Sequence, residues 1–173
     1  MPHILIVEDE PDLCTLLSKI ITALDYQATS VTSGEAALEK VAQHHFDLVL
    51  LDHYMPGMSG LDTAKVLNEK NIPFVFCTAS TEDEVLRHAM AQGALNYIVK
   101  PFSPAKVIFA IASSLGRIEE QEQNNLIQVA TGILMAQNSC NREQARGQLE
   151  SSAEDAGMTL GEHAKQLIAE YRP

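Results

Sequence analysis

The chain has 173 residues, with 12 Lys and Arg against 23 Asp and Glu and a formal net charge of −11, so it repels polyanions at long range and any nucleic-acid role needs a local surface. That length is enough for one ordinary domain plus a small one and leaves one domain or two open; the 46% hydrophobic content is normal for a soluble globular protein, and no apolar run is long enough to suggest a membrane role. Met1-Pro2-His3 leads straight into a strand pattern without a basic segment or cleavage site, and Cys14, Cys77 and Cys140 are odd in number and far apart. Reduced thiols in a cytoplasmic protein are expected, not a disulfide frame.

In chain order, Ile4-Leu5-Ile6-Val7 reads as a strand buried on both faces and ends in acid, Glu8-Asp9-Glu10. Pro11 suits a first helical turn, and Leu13, Leu16, Leu17, Ile20 and Leu24 repeat at helical spacing through to Asp25. Gln27 to Val31 is a weak strand, after which Thr32 with Glu35 reads as a capping box for a helix carrying Ala36, Ala37, Val41 and Ala42. Leu48-Val49-Leu50-Leu51 is again continuously apolar and delivers one carboxylate, Asp52, to the turn His53-Tyr54-Met55-Pro56-Gly57-Met58. Ser59-Gly60 opens the next helix, and Phe74 to Thr78 is a fourth strand. Thr81 with Glu84 caps a helix running to Gly93, Asn96 to Lys100 is a fifth strand, and Ser103-Pro104 starts a helix through Val107, Ile108, Ile111 and Leu115.

Strands alternating with helices predict a doubly wound α/β fold, a five-stranded parallel sheet covered on both faces. In such folds ligands gather at the carboxyl ends of the strands, where Asp9, Asp52, Thr78 and Lys100 all fall. His44, His45, His53 and His88 have no metal-ligand spacing and are expected to be surface or satisfied histidines.

Glu8-Asp9, Asp52 with Met55-Pro56 and Ser59-Gly60, Thr78-Ala79, and Lys100-Pro101-Phe102 together resemble a response-regulator receiver domain over residues 3–116. The resemblance implies a flavodoxin-like strand order of 2-1-3-4-5 and a cis Lys100-Pro101 bond. It implies Asp52 as phosphoacceptor and a Mg2+ ion held by Asp9, Asp52, the Tyr54 backbone carbonyl and, through water, Glu8. Carboxylate nucleophiles and oxygen-ligated magnesium suit that chemistry. Lys100 is placed to neutralise charge on phosphoryl oxygens, Thr78 can offer a hydroxyl, and by resemblance Tyr97 is the aromatic switch. A haloacid-type phosphatase would need a second Asp two residues after the first, where Tyr54 stands.

The chain from Arg117 to Asn125 is made of good helix formers and reads as a helical connector. Ile108, Ile111, Leu115, Ile118, Glu122, Asn125 and Val129 follow a heptad rhythm with two polar positions, compatible with either a short coiled coil or a solvated helix. Residues 126–173 then form a small three-helix domain: Leu126, Val129, Ala130, Ile133 and Leu134 share one face, Asn141 with Gln144 caps a second helix closed by Gly157, and Thr159 with Glu162 caps a third. The domains expected are thus 1–116, a connector at 117–125, and 126–173.

Ala130-Thr131-Gly132-Ile133-Leu134-Met135-Ala136, with Ala145, Leu149, Ala153 and a last helix ending near Ile168, resembles an ANTAR domain, the RNA-binding module of antitermination regulators. From Arg117 onward there are five Arg and Lys against nine Asp and Glu, which is sparse charge for binding phosphates and leaves Arg142, Arg146, Lys165 and Arg172 as the candidate RNA contacts. The expectation is a response regulator phosphorylated by a sensor histidine kinase, with a phosphorylation-dependent homodimer binding structured leader RNA for transcription antitermination. The alternative is a phospho-switched protein-interaction or dimerisation regulator whose ANTAR-like domain no longer binds RNA. The receiver is expected to catalyse its own phosphorylation and dephosphorylation without being an enzyme on other substrates.

Overall fold

The computed structural model describes residues 1–80, 87 and 90–171. The expected Thr81–Glu84 capping box, His88 and Arg172 lie outside the described residues. The chain divides into two compact units, Met1–Gly116 and Arg117–Pro173.

The first unit runs β1 (His3–Val7), α1 (Pro11–Thr22), β2 (Gln27–Val31), α2 (Gly34–Gln43), β3 (Leu48–Asp52), α3 (Gly60–Glu69), β4 (Phe74–Thr78) and β5 (Asn96–Val99), then enters α4 (Pro104–Asn138). The strands form one parallel sheet in the order β2-β1-β3-β4-β5, as the resemblance implied. Every residue of β3 and β4 is buried, which is why these strands are continuously apolar until their last residue. Side chains alternate across the sheet: Leu5, Val7, Val49, Leu51, Phe74 and Phe76 pack in one core with Ala37, Ala64 and Leu67 of α2 and α3. Ile4, Ile6, Leu48, Leu50 and Val75, equally buried, take the opposite parity and so fill the other face.

Two helix ends differ from the sequence expectation. Ser33, not Thr32, caps α2 by accepting from the Ala36 amide. Glu35 is drawn away from a capping box because its carboxylate accepts from the Met58 amide, 3.1 Å away in the β3–α3 loop. Helix α1 stops at Thr22 instead of reaching Asp25, which adopts a left-handed φ of 58°. At the start of α3, Gly60 is required by crowding, since a β-carbon there would collide with the Asp52 carbonyl oxygen and lie 2.7 Å from the His53 Cα.

Helix α4 continues through Gly116 without a break, so that glycine ends the first unit but not the helix. The heptad seam loses a member: Ile111 is fully buried within the first unit, while Ile108 and Val129 are exposed. The second unit contains the rest of α4 with α5 (Arg142–Ala156) and α6 (Leu160–Glu170). Its core is small, with Ala130, Leu149 and Ala164 at the centre and Leu126, Ile127, Leu134, Leu160, Leu167 and Ile168 partly buried around them. Both expected capping boxes form, Asn141–Gln144 on α5 and Thr159–Glu162 on α6, and Gly157 closes α5 in the left-handed conformation at φ 65°. None of the described helices is long and apolar enough to cross a membrane.

Candidate functional site

Four adjacent strands, β1, β3, β4 and β5, each bring a polar group to the same sheet edge, around the point where the strand order reverses between β1 and β3. Asp52 is the last residue of β3 and Thr78 the last of β4; Glu8 and Asp9 follow β1, and Lys100 follows β5. Glu8, Asp52 and Thr78 are buried. The Lys100 ammonium lies 3.1 Å from Asp52 Oδ2, 2.8 Å from Glu8 Oε2 and 3.0 Å from Glu8 Oε1. Only Oε1 is in hydrogen-bonding geometry, so the second Glu8 oxygen is buried in ionic contact without a donor aimed at it. The Lys100–Pro101 peptide is cis, as the resemblance implied.

Burial dominates the Glu8 carboxyl and raises its pKa, with the Asp52 charge adding to the effect and Lys100 opposing it. For Lys100 burial disfavours the charge, but the hydrogen bonds and ion pairs to Glu8 and Asp52 outweigh it and the pKa is raised. Oxygen atoms of Glu8, Asp9 and Asp52 all lie within 4.8 Å of one another. Three carboxylates against one ammonium leave a formal charge of −2, which with the orphaned Glu8 oxygen fits a hard divalent cation of the magnesium type.

Around this cluster, the Tyr54 amide donates to Asp52 Oδ1 at 3.4 Å and the Ser80 amide donates to Thr78 Oγ1 at 3.1 Å. The Tyr54 side chain is exposed. His53 departs from expectation. It is buried rather than a surface residue, its ring is edge-on to Tyr54 and Phe76 with centroids 4.3 and 5.6 Å away, and Nδ1 makes no hydrogen bond. Burial lowers its pKa, so it packs as a neutral aromatic ring. His44 and His45 are exposed as expected.

Residues 4–112 match the response regulator receiver domain, and residues 119–168 match the ANTAR domain. The chain belongs to the response regulators of two-component systems. It is 35% identical over 130 residues to the response regulator SaeR of Staphylococcus epidermidis and 31% over 132 residues to that of Staphylococcus aureus, covering 74% and 75% of this chain. It spans only 56% and 58% of those relatives' lengths. Among solved structures it resembles the BeF3-activated receiver domain of Klebsiella pneumoniae RstA, with a TM-score of 0.62 at 30% identity, covering 65% of this chain and 97% of that one. It also resembles the chemotaxis protein CheY4 of Vibrio cholerae, with a TM-score of 0.63 at 25% identity, covering 66% and 98%.

In the receiver of this response regulator, Tyr97 is exposed on β5 and borders a groove of about 480 Å3 with Phe109, a residue 72% exposed. The sequence gives no sign of the exposure of Phe109, because an aromatic inside an apolar helical rhythm looks like a core residue. In the ANTAR unit, Arg142 and Arg146 come together beside one cleft on α4. Lys165 stands on α6 and is not among the residues lining it. Arg146 Nε also donates to Glu150 Oε1 at 2.9 Å, an exposed i,i+4 pair.

Proposed function

We propose that this response regulator accepts a phosphoryl group on Asp52 from a sensor histidine kinase and signals through RNA binding by its ANTAR domain, acting in transcription antitermination in the cytoplasm. The observation that carries the phosphoryl half is the buried cluster of three carboxylates countered by one lysine. An Asp52 oxygen attacks phosphorus, the P–N bond of the phosphohistidine donor breaks, and the imidazole leaves with the electron pair. Asp9, Asp52 and the Tyr54 carbonyl would hold Mg2+, with Glu8 acting through water; the ion supplies neutralisation of charge on the transferring group. Lys100 then moves its ammonium contacts toward the phosphoryl oxygens, and the Thr78 hydroxyl donates to them. Tyr97 is the residue whose ring position reports that engagement to the output.

Incubation with a small phosphodonor tests this directly. Wild type should be labelled only with Mg2+ present, and Asp52→Asn should not be labelled at all. Unchanged stoichiometry in that variant would refute the assignment.

For the output half, the ANTAR match supports RNA binding; the contacts proposed are Arg142, Arg146, Lys165 and Arg172, and the binding form proposed is a phosphorylation-dependent homodimer. The excess of acids from Arg117 onward favours a second reading, in which the domain docks a protein or only dimerises. Sedimentation of phosphorylated and unphosphorylated protein, read beside binding to structured leader RNA at low and moderate salt, separates the two. Dimerisation without RNA affinity at low salt would leave the second reading standing.

A further inference from the structure

The loop that follows Asp52 is tied to α2 by a carboxylate outside the acidic cluster. Residues 53–59 join β3 to α3 and carry Tyr54, whose amide donates to Asp52 Oδ1 and whose carbonyl is the proposed metal ligand. The His53 amide donates to the Cys77 carbonyl at 2.8 Å and fixes the start of the loop; the Gly60 amide donates to the His53 carbonyl at 3.2 Å and closes it. Between these points Met55 is buried in the core shared by the sheet, α2 and α3. Apolar packing has no direction, so it fixes the depth of Met55 without setting the tilt of the Tyr54–Met55 peptide.

A directed contact comes from Glu35, whose Oε1 accepts from the Met58 amide at 3.1 Å across 23 residues of sequence. Among the described residues this is the hydrogen bond that ties residues 56–59 to an element other than α3. The chain is shaped to permit it from both sides. Gly34, the first residue of α2, is buried, and a β-carbon there would collide with the Thr63 hydroxyl and lie 3.0 Å from Met58 Cγ. Gly57 has a left-handed φ of 78°, and a β-carbon there would lie 3.2 Å from Glu35 Oε1. Glycine at both places lets helix, loop and carboxylate approach closely. Glu35 also lies in the first turn of α2, where the amino end of a helix favours negative charge.

We infer that Glu35 is a positioning residue for metal binding at the acidic cluster: its hydrogen bond to Met58 holds the loop in the form that presents the Tyr54 carbonyl to the ion. The inference rests on the reading of Asp52 as a phosphoacceptor with Mg2+ beside it. Glu35 is not one of the clustered carboxylates, which are Glu8, Asp9 and Asp52, so beyond diffuse charge it acts on the site through the loop backbone. Outer partners of metal ligands are typically worth about 10–100-fold in metal affinity, and one exposed bond acting through a loop belongs at the lower end of that range. A residue that sets a metal ligand and touches no reacting atom has a signature. It changes the amount of metal required and leaves the rate at saturating metal alone.

The test uses the full chain. Mn2+, which takes the same oxygen ligands as Mg2+ and carries an electron-spin signal, is titrated into unphosphorylated protein and displaced with Mg2+. Glu35→Ala should keep a cooperative urea transition yet bind both ions about tenfold more weakly. Glu35→Gln retains an oxygen able to accept from the Met58 amide; a neutral acceptor is about half as strong as a charged one, so this variant should lose only about threefold. Glu39→Gln removes a charge from an exposed position one turn further along α2 and should bind like wild type. With a small phosphodonor, Glu35→Ala should need about ten times more Mg2+ for half-maximal labelling and reach the wild-type rate at saturation, a split that general loss of fold does not produce. Unchanged metal affinity in Glu35→Ala overturns the inference. Equal losses in Glu35→Ala and Glu39→Gln overturn it as well, by reducing the effect to diffuse charge, and equal losses in Glu35→Ala and Glu35→Gln overturn it by making the acceptor irrelevant. If the alanine variant does not fold, Glu35→Gln set against Glu39→Gln decides, and equal affinities there overturn the inference. Wild type that binds Mn2+ but takes no label would refute the phosphoacceptor reading, while the metal affinities would still decide the role of Glu35. Wild type that binds no metal would overturn both.

Discussion

The receiver and the ANTAR unit handle charge in opposite ways. The receiver buries Glu8 and Asp52 and holds Lys100 14% exposed against both. Among the described residues the ANTAR unit buries no ionised group; its one buried polar side chain, Thr131, has its hydroxyl satisfied by the Ile127 carbonyl at 2.7 Å. Phosphoryl transfer needs charges held in a desolvated place, because there they act most strongly on a reacting group. The second unit has a plain core centred on Ala130, Leu149 and Ala164 and keeps its described charges out of the interior.

That contrast breaks most sharply at Lys100. Lys100→Ala leaves two carboxylates buried without their cation, a change that costs about 3 kcal/mol or more in comparable pairs. Receiver stability measured by urea titration without metal should fall by that order, and Mg2+ should restore part of it. Its ion pairs with Glu8 and Asp52 thus give the lysine a part in holding the fold. An unchanged midpoint without metal would mean that the cluster is not desolvated as described.

Next in size is the ANTAR core. Leu149 is fully buried at the centre of a core with few members, so Leu149→Ala should cost about 2–4 kcal/mol, a large share of what so small a unit has. Helical signal from the second unit should be lost while Mg2+-dependent labelling of Asp52 persists. If labelling fell in parallel, the two units would not be separable in stability.

The smallest effect sharpens the comparison at the helix starts. Thr159 both accepts from the Glu162 amide and donates from its own amide and hydroxyl to the Glu162 carboxylate, whose pKa is lowered by those bonds. Thr159→Ala should lower stability by about 1 kcal/mol. The effect should disappear into the unfolding of the ANTAR unit alone, and a melt resolved by unit would check it.

Much of the receiver was legible because its physics is local to strands. Continuous apolar runs such as Leu48 to Leu51 mark strands buried on both faces, and a polar residue at the end of each run marks the edge where chemistry collects. Glu35 was misread as a capping partner because its spacing from Thr32 is right, and nothing in the sequence shows that Met58 lies within its reach. His53 was misread because a histidine beside an aspartate gives no sign of burial between two aromatic rings. Ile111 kept the heptad rhythm because the core of the first unit and a coiled-coil seam ask for the same spacing. In the ANTAR unit the caps were legible from spacing alone, but the cleft over Gly132 was not, since it depends on where α5 meets α4.

Gly60 sets a fixed point for anyone redesigning this protein. Because the first residue of α3 presses on the peptide that follows Asp52, every side chain larger than hydrogen would wedge the strand end away from the helix. A library built around Asp52 should hold position 60 constant and spend its diversity on positions such as Tyr54, whose side chain is exposed.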